Sequence, residues 1–190
     1  MEREVLITGI GGQGVQLAAQ VLARAAMLEG REVMYLGVYG GMMRGGNTDS
    51  TVVVADGPIE APPVVSHTWS AIAMHDEYWE PVEDKLRPGG LVLVNAPTFL
   101  REVRADATLH RVDASTVATH IGSPLAAAMV IVGTYAAITQ VVECDALVDA
   151  MRQSIPSYRT QHIEANERAL RAGWDLLPHN TFPAWEAARV

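Results

Sequence analysis

Two glycine-rich segments hold the residues whose types and spacing could do chemistry. The first reads GIGGQG over residues 9–14, between an apolar run and an alanine-rich run. The second reads YGGMMRGGNTDS over residues 39–50 and places Arg44 between two pairs of glycines. Glycines let a backbone approach a phosphate closely, and an arginine can hold a phosphate or a carboxylate through two hydrogen bonds. Both segments are therefore candidate binding or docking loops.

The first segment has the glycine spacing of a dinucleotide-binding fingerprint at Gly9, Gly11 and Gly14. That fingerprint also needs an acidic residue at the end of the second strand, where it holds a ribose. Residues 35–40 contain no carboxylate, and Glu29 lies before that strand. The sequence therefore disfavours an ordinary NAD site.

A P-loop is disfavoured on similar grounds. Gly9 and Gly14 fit its outer glycines, but Val15 and Gln16 stand where a lysine and a hydroxyl residue are required. A simple strand-to-helix turn would account for Gly9 and Gly14. It accounts less well for the GGQ at residues 11–13, so we favour a binding or docking role.

The candidate binding residues come from both loops, while a solvated Arg44 on a turn remains the plainer alternative. They are Gly11, Gly12, Gln13, Gly14, Arg44, Gly45, Gly46, Asn47 and Thr48.

No complete catalytic or metal centre is evident, so we predict neither catalytic residues nor metal ligands. The six histidines show no metal-binding spacing, and no Gly-x-Ser-x-Gly motif is present. Cys144 lies between Glu143 and Asp145, which disfavours its thiolate. Glu83 and Asp84 are expected on a solvated face. Two binding loops without catalytic machinery are typical of a subunit.

Composition narrows the class of protein. The chain has 190 residues, 49% of them hydrophobic, and a net charge of −8, which disfavours nucleic-acid binding. One cysteine cannot hold an iron–sulfur cluster, which usually needs about four. It also cannot form an internal disulfide, and no apolar run reads as a membrane span of roughly 20 residues. We expect a cytoplasmic protein that binds neither membrane nor nucleic acid.

The alternation of strand and helix patterns predicts an α/β fold, a Rossmann-like three-layer sandwich with a mostly parallel central sheet. We expect a single domain over residues 1–190, with residues 178–190 as a tail that depends on a partner for order. Both loops follow strands, so both should lie at the carboxyl edge of the sheet, where such folds bind ligands. The predicted strands are 5–7, 33–38, 51–55, 69–74, 91–94 and 109–112. The predicted helices are 15–29, 76–86, 123–142, 145–151 capped by Asp145, and 157–172 capped by Ser157 and stopped by Gly173. A turn is predicted at 87–90.

The two loops together resemble a known family. GIGGQGVQLAAQVLARAAMLEG, YGGMMRGGNTDSTVVV, RPGGLVLVN and EANERALRAG resemble the gamma subunit of the 2-oxoacid:acceptor oxidoreductases. That family includes the pyruvate, 2-oxoglutarate and 2-oxoisovalerate ferredoxin oxidoreductases. The resemblance covers nearly the whole chain. The chain departs from the family at Met42 and Met43, where an acid is common, and at residues 52–54, where an arginine is common.

The resemblance implies a subunit of an enzyme that oxidatively decarboxylates a 2-oxoacid to an acyl-coenzyme A and passes electrons to ferredoxin or a related acceptor. It implies alpha and beta partners that hold thiamine diphosphate and magnesium. Iron–sulfur clusters would lie on beta and on a ferredoxin-like delta subunit. This chain would frame the site and support assembly without being catalytic or holding a cofactor alone. Coenzyme A is the candidate ligand at the subunit interface.

Two alternatives remain open at this stage. One is a free-standing Rossmann-like domain that binds a nucleotide for regulation through GIGGQG alone. The other is a structural scaffold whose glycines serve subunit packing only.

Overall fold

The fold is a six-stranded sheet with six α-helices in the part of the chain that the structure describes. A computed structural model describes residues 1–39, 45–60, 62 and 64–185. The strands are β1 (Glu2–Ile10), β2 (Glu32–Tyr39), β3 (Asn47–Ala55), β4 (Thr68–Ala73), β5 (Leu86–Asn95) and β6 (Ala107–Val112). The helices are α1 (Val15–Leu28), α2 (Glu80–Glu83), α3 (Ala114–His120), α4 (Ala127–Thr139), α5 (Cys144–Ser154) and α6 (Ile163–Trp174). Short 3₁₀ turns occupy Ala96–Thr98, Pro124–Ala126 and Ser157–His162.

The strand order is β2-β3-β1-β4-β5-β6. The pairs β1–β4, β4–β5 and β5–β6 are parallel, whereas β3 runs antiparallel to both β1 and β2. Five strands therefore point the same way, and the mostly parallel sheet predicted from the sequence is confirmed. The carboxyl ends of β1, β2 and β4 meet at one edge, so the chain's two glycine loops leave the sheet there.

The sheet's two faces are covered differently. Val5 and Ile7 of β1 point into the larger core, which also contains the buried sides of α1, α3, α4, α5 and α6. Leu6 points the other way, into a smaller core closed by α2 and the loops around Val65 and Phe99. All thirteen residues of α4 are buried, because α6 packs along it and α1, α3 and β5 contact its other sides. The long helices thus share one face of the sheet.

Helix α1 follows from its small residues and its ends. Ala18, Ala19, Ala25 and Ala26 are fully buried, and their small side chains let the helix lie close to the strands. It ends as the sequence predicts, because Gly30 adopts a left-handed φ of 76° that other residues rarely adopt.

The starts of two strands, β5 and β3, differ from the prediction. Residues 87–90 lie inside β5 and not in a turn, since Gly90 runs so close to β4 that an added Cβ would lie 2.9 Å from the carbonyl oxygen of Trp69. Asn47 and Thr48 are the first residues of β3 and not loop residues, because β3 pairs with β1 and β2 along its whole length.

The helix boundaries differ as well. Helix α3 was not predicted, and the helix expected over 76–86 is reduced to α2. Helix α5 begins at Cys144 with Glu143 at its cap position, so Asp145 is not the cap. Ser157 starts a 3₁₀ turn, and Gly173 lies within α6 and does not stop it.

Gly173 has a packing role. A Cβ on it would lie 1.9 Å from the carbonyl oxygen of Val130, and a Cβ on Gly133 would lie 2.2 Å from that of Leu170. The hydroxyl of Thr134 also donates to the Gly173 carbonyl at 2.9 Å. Helices α4 and α6 therefore touch backbone to backbone, which only glycine permits at these two positions.

Residues 178–185 lie against the end of α4. The N–H groups of Asn180, Phe182 and Ala184 donate to the carbonyls of residues 137, 138 and 139 at 2.7–3.0 Å. The Arg31 guanidinium also stacks over the ring of Trp185 at 4.1 Å. Residues 186–190 lie outside the described part of the chain, and the partner dependence of the segment 178–190 stays a prediction.

Candidate functional site

The two glycine loops meet at the carboxyl edge of the sheet. The N–H of Gly11 donates to the carbonyl of Gly46 at 2.9 Å, and the N–H of Gly45 lies 3.5 Å from the carbonyl of Gly11. The hydroxyl of Tyr78, which follows β4, approaches the Gly45 carbonyl at 3.4 Å. The two loops therefore lie close together, as the strand order implies.

Gln13 holds the first loop in shape. Its side-chain oxygen accepts from the N–H of Ile10 at 2.8 Å, and its side-chain nitrogen donates to the carbonyl of Met74 at 3.3 Å. Gly9 accommodates this arrangement, because a Cβ there would lie 2.7 Å from the same Gln13 oxygen. The Gln13 side chain thus ties β1 to β4 beneath the loop.

Gly12 and Gly14 are the two residues of the first loop with a left-handed backbone conformation. Gly12 has a φ of 107°, and no atom of the described residues lies within 4 Å of a Cβ built on it. Gly14, with a φ of 83°, is the cap residue of α1 and provides no side-chain cap. The first N–H groups of a helix have no partner within it, so this end of α1 offers free donors. The left-handed backbone conformation therefore explains why positions 12 and 14 are glycines, whether or not a ligand binds there.

The start of β3 supplies the polar groups behind the loops. The side-chain amide of Asn47 donates to the carboxylate of Asp49 at 2.8 Å, and the buried hydroxyl of Thr8 donates to the same carboxylate at 2.6 Å. Thr48 is nearly buried and lines the cleft described next. Arg44, which the sequence singles out, lies outside the described residues.

A cleft of about 490 Å³ opens beside the first loop, within the usual range for a ligand pocket. One wall comprises Gly11, Gly12, Gly14, Thr48 and the first turn of α1. Four of the nine predicted residues therefore share one cavity. Gln13, Gly45, Gly46 and Asn47 lie next to it but do not line it.

The opposite wall comes from the second half of the chain. It comprises Ser123 and Leu125 before α4, Ser154 at the end of α5, and Arg159, His162 and Asn166 around the start of α6. Sequence reasoning missed this wall, because no spacing links it to the glycine loops. The one hint in the sequence is that an arginine and a histidine, Arg159 and His162, follow the helix break at Pro156.

The thiol of Cys144 lies in an environment that disfavours its charged form. Burial raises the pKa of the Cys144 thiol, and Asp145 and Glu143 act in the same direction against the opposing effect of Arg171. This result agrees with the unreactive cysteine expected from the sequence. No cluster of three potential metal ligands is found among the described residues, and none of their helices is both long and apolar enough to cross a bilayer.

Glu83 differs from expectation. Only 6% of its side chain is exposed, and it accepts hydrogen bonds from the N–H groups of Arg104 and Ala105. Burial disfavours its charged form, but these N–H groups and the Arg104 guanidinium outweigh that effect and lower its pKa. The predicted solvated face is wrong at Glu83, which fixes the loop before β6.

The chain matches the model of one protein family, described as pyruvate ferredoxin/flavodoxin oxidoreductase, over residues 4–176. Among individual proteins, it is 31% identical to the 2-oxoglutarate synthase subunit KorC of Methanothermobacter marburgensis. That match extends over 185 residues and covers 93% of this chain and 97% of the relative.

Solved structures show the same fold. The gamma subunit of a keto/oxoacid ferredoxin oxidoreductase from Geobacter sulfurreducens matches with a TM-score of 0.79 at 26% identity, over 92% of this chain and 95% of that one. A 2-oxoglutarate:ferredoxin oxidoreductase from Magnetococcus marinus, solved with 2-oxoglutarate, coenzyme A and succinyl-CoA bound, matches with a TM-score of 0.78 at 18% identity. The match covers 90% of this chain and 30% of that longer one.

Proposed function

We propose a role for the chain from one premise: it belongs to the pyruvate ferredoxin/flavodoxin oxidoreductase family, as the gamma subunit of a 2-oxoacid:ferredoxin oxidoreductase. In this role the chain forms one wall of the coenzyme A site and supports assembly of the enzyme. Thiamine diphosphate and magnesium belong to the alpha and beta subunits in this proposal, and iron–sulfur clusters to beta and a ferredoxin-like delta subunit. The assembled enzyme converts a 2-oxoacid to an acyl-coenzyme A and reduces ferredoxin or a related acceptor.

The single cysteine supports this division of labour. A four-iron cluster usually needs about four cysteine ligands, and the whole chain has one. Electron transfer through clusters therefore requires other subunits. The single cysteine sets this requirement whatever 2-oxoacid the enzyme accepts.

The cleft fits a phosphorylated ligand such as coenzyme A. Gly11 and Gly12 expose backbone without side chains, and the first turn of α1 has free N–H groups that favour anions. Arg159 and His162 provide further donors on the facing wall. The Magnetococcus relative was solved with coenzyme A bound, which supports the same ligand class for this chain.

One observation carries the proposal: Gly12 lines the cleft, and no atom of the described residues lies within 4 Å of a Cβ built on it. The left-handed φ of 107° is by itself a sufficient reason for a glycine there. The open space beside it leaves the backbone of the loop accessible to a ligand or partner.

The test compares Gly12→Ala with Gly30→Ala in the assembled oxidoreductase. Gly30 also has a left-handed φ, 76°, and open space around its Cβ position, but it lies at the far end of α1. Both substitutions place an L side chain at a positive φ, which costs about 1–3 kcal/mol. We expect Gly12→Ala to raise the KM for coenzyme A at least severalfold and Gly30→Ala to leave it unchanged.

Equal KM values for the two variants would overturn the coenzyme A contact. Loss of assembly in Gly12→Ala alone would assign the loop to subunit packing and would also contradict the contact. Arg44→Ala is expected to raise the same KM or impair assembly, as the sequence predicts.

A further inference from the structure

Arg159 differs from the other arginines near it. Arg152, Arg168 and Arg171, on α5 and α6, each pair with a carboxylate at 2.6–3.1 Å. Arg159 forms no ion pair with any carboxylate of the described residues, and its guanidinium lies 5.5 Å from the ring centre of Tyr158. The one arginine of this region that lines the cleft is therefore available to an anion from outside.

The cleft lining has the corresponding charge pattern. The chain carries 22 acidic residues against 14 basic ones, yet none of the described residues that line the cleft is acidic. The lining contains Arg159 and His162 together with uncharged polar groups. An acidic protein that keeps carboxylates away from one cavity and places an arginine in it has a cavity suited to an anion.

The local backbone places both groups on the same side. Arg159 has φ −123° and ψ 19°, which breaks the 3₁₀ turn Ser157–His162 just before α6 begins. The side-chain amide of Asn166 donates to the carbonyl of His162 at 3.0 Å, across the first turn of the helix. This bond holds the turn that presents His162 to the cleft.

We infer that Arg159 and His162 bind the 3′-phosphate of coenzyme A. The inference rests on the proposed function, which brings coenzyme A into the cleft. Coenzyme A carries a pyrophosphate and a separate 3′-phosphate, so it needs two anion sites. The first glycine loop and the start of α1 face the pyrophosphate. The wall that carries Arg159 and His162 then meets the 3′-phosphate, whose oxygens match the two-pronged geometry of the Arg159 guanidinium.

The test uses the assembled oxidoreductase with coenzyme A and with dephospho-coenzyme A, which lacks only the 3′-phosphate. Arg159→Gln is expected to raise the KM for coenzyme A by roughly three- to tenfold and to leave the KM for dephospho-coenzyme A unchanged. His162→Gln should act in the same direction, and Arg159→Lys should lose less than Arg159→Gln, because it keeps the charge without the planar geometry.

Arg168→Gln is the matched control. Arg168 is similarly exposed but pairs with Glu164 at 2.6 Å and does not line the cleft. It should leave both KM values unchanged. Higher ionic strength should raise the KM of the wild-type enzyme for coenzyme A more than that of Arg159→Gln, because the contact at Arg159 is exposed to salt.

The inference is overturned if Arg159→Gln raises both KM values by the same factor or raises neither. Failure of the proposed function has a separate signature, because Gly12→Ala would then match Gly30→Ala with coenzyme A. Suppose that Gly12→Ala raises the KM for coenzyme A as expected, but Arg159→Gln changes the KM values for coenzyme A and dephospho-coenzyme A equally. That result would refute the 3′-phosphate assignment and leave the proposed function standing.

Discussion

Replacing Gly173 by alanine tests how the fold holds the cleft's second wall. The new methyl group would lie 1.9 Å from the carbonyl oxygen of Val130, whereas real Cβ contacts essentially never fall below 3.0 Å. Helices α4 and α6 must therefore separate locally by at least about 1.1 Å. The obstructing atom belongs to the backbone, so no side-chain rotation relieves the clash.

The cost should fall at the upper end of the usual range for overpacking, about 3 kcal/mol. For a domain of this length, each kcal/mol lowers the melting temperature by about 2–4 °C. We therefore expect Gly173→Ala to lower the melting temperature by about 6–12 °C, measured by circular dichroism on the purified chain. Since α6 carries Asn166 and adjoins His162, the KM for coenzyme A in the assembled enzyme should rise as well.

Gly57→Ala is the control, because no atom lies within 4 Å of a Cβ built at Gly57 and its φ lies outside the left-handed region. Its melting temperature should stay within about 2 °C of wild type. If Gly173→Ala and Gly57→Ala have the same melting temperature, the backbone contact between α4 and α6 is refuted.

Two further predictions concern titratable groups. Glu83→Gln should lower the free energy of unfolding at pH 7 by about 1–3 kcal/mol, because it weakens the hydrogen bonds to a buried carboxylate. The native pKa of Glu83 is lowered, so this advantage of the wild type is present above the ordinary carboxyl pKa near 4.5 and disappears as the pH falls below it. The exposed Glu80→Gln should show little effect, and an unchanged difference down to pH 3 would contradict the mechanism. Cys144 should react with iodoacetamide at pH 8 more slowly than free cysteine, with a rate still rising above pH 9, since burial raises its pKa. A rate that levels off below pH 8 would contradict that environment.

Local pattern was sufficient to predict the part of the site that lies on one sheet edge. The apolar run of β1 and the small residues of α1 define a strand and a helix, and glycines follow two strands. Because the carboxyl ends of parallel strands lie at one edge of the sheet, both loops are expected to lie together. The hydrogen bond between Gly11 and Gly46 confirms this expectation. Residue type was also enough to predict the unreactive Cys144, because its acidic neighbours are adjacent in sequence.

The parts that failed depend on packing between distant segments. Gly173 looks like a helix stop in sequence, and only the approach of Val130 shows why a glycine is needed inside α6. Arg159 and His162 line the same cleft as the first loop because α6 packs against α4. Glu83 reads as a surface residue until the loop at residues 104 and 105 folds over it. No periodicity encodes such contacts.

Affinity purification of the tagged chain from its native cells tests the central claim most directly. The eluate is assayed for ferredoxin reduction with pyruvate, 2-oxoglutarate or 2-oxoisovalerate as donor, with and without coenzyme A. We predict that the chain elutes with larger subunits that contain thiamine diphosphate, and that at least one 2-oxoacid drives reduction only when coenzyme A is added. A chain that elutes alone, or with partners that show no such activity, would contradict the assignment of this chain as the gamma subunit of a coenzyme A-acylating oxidoreductase.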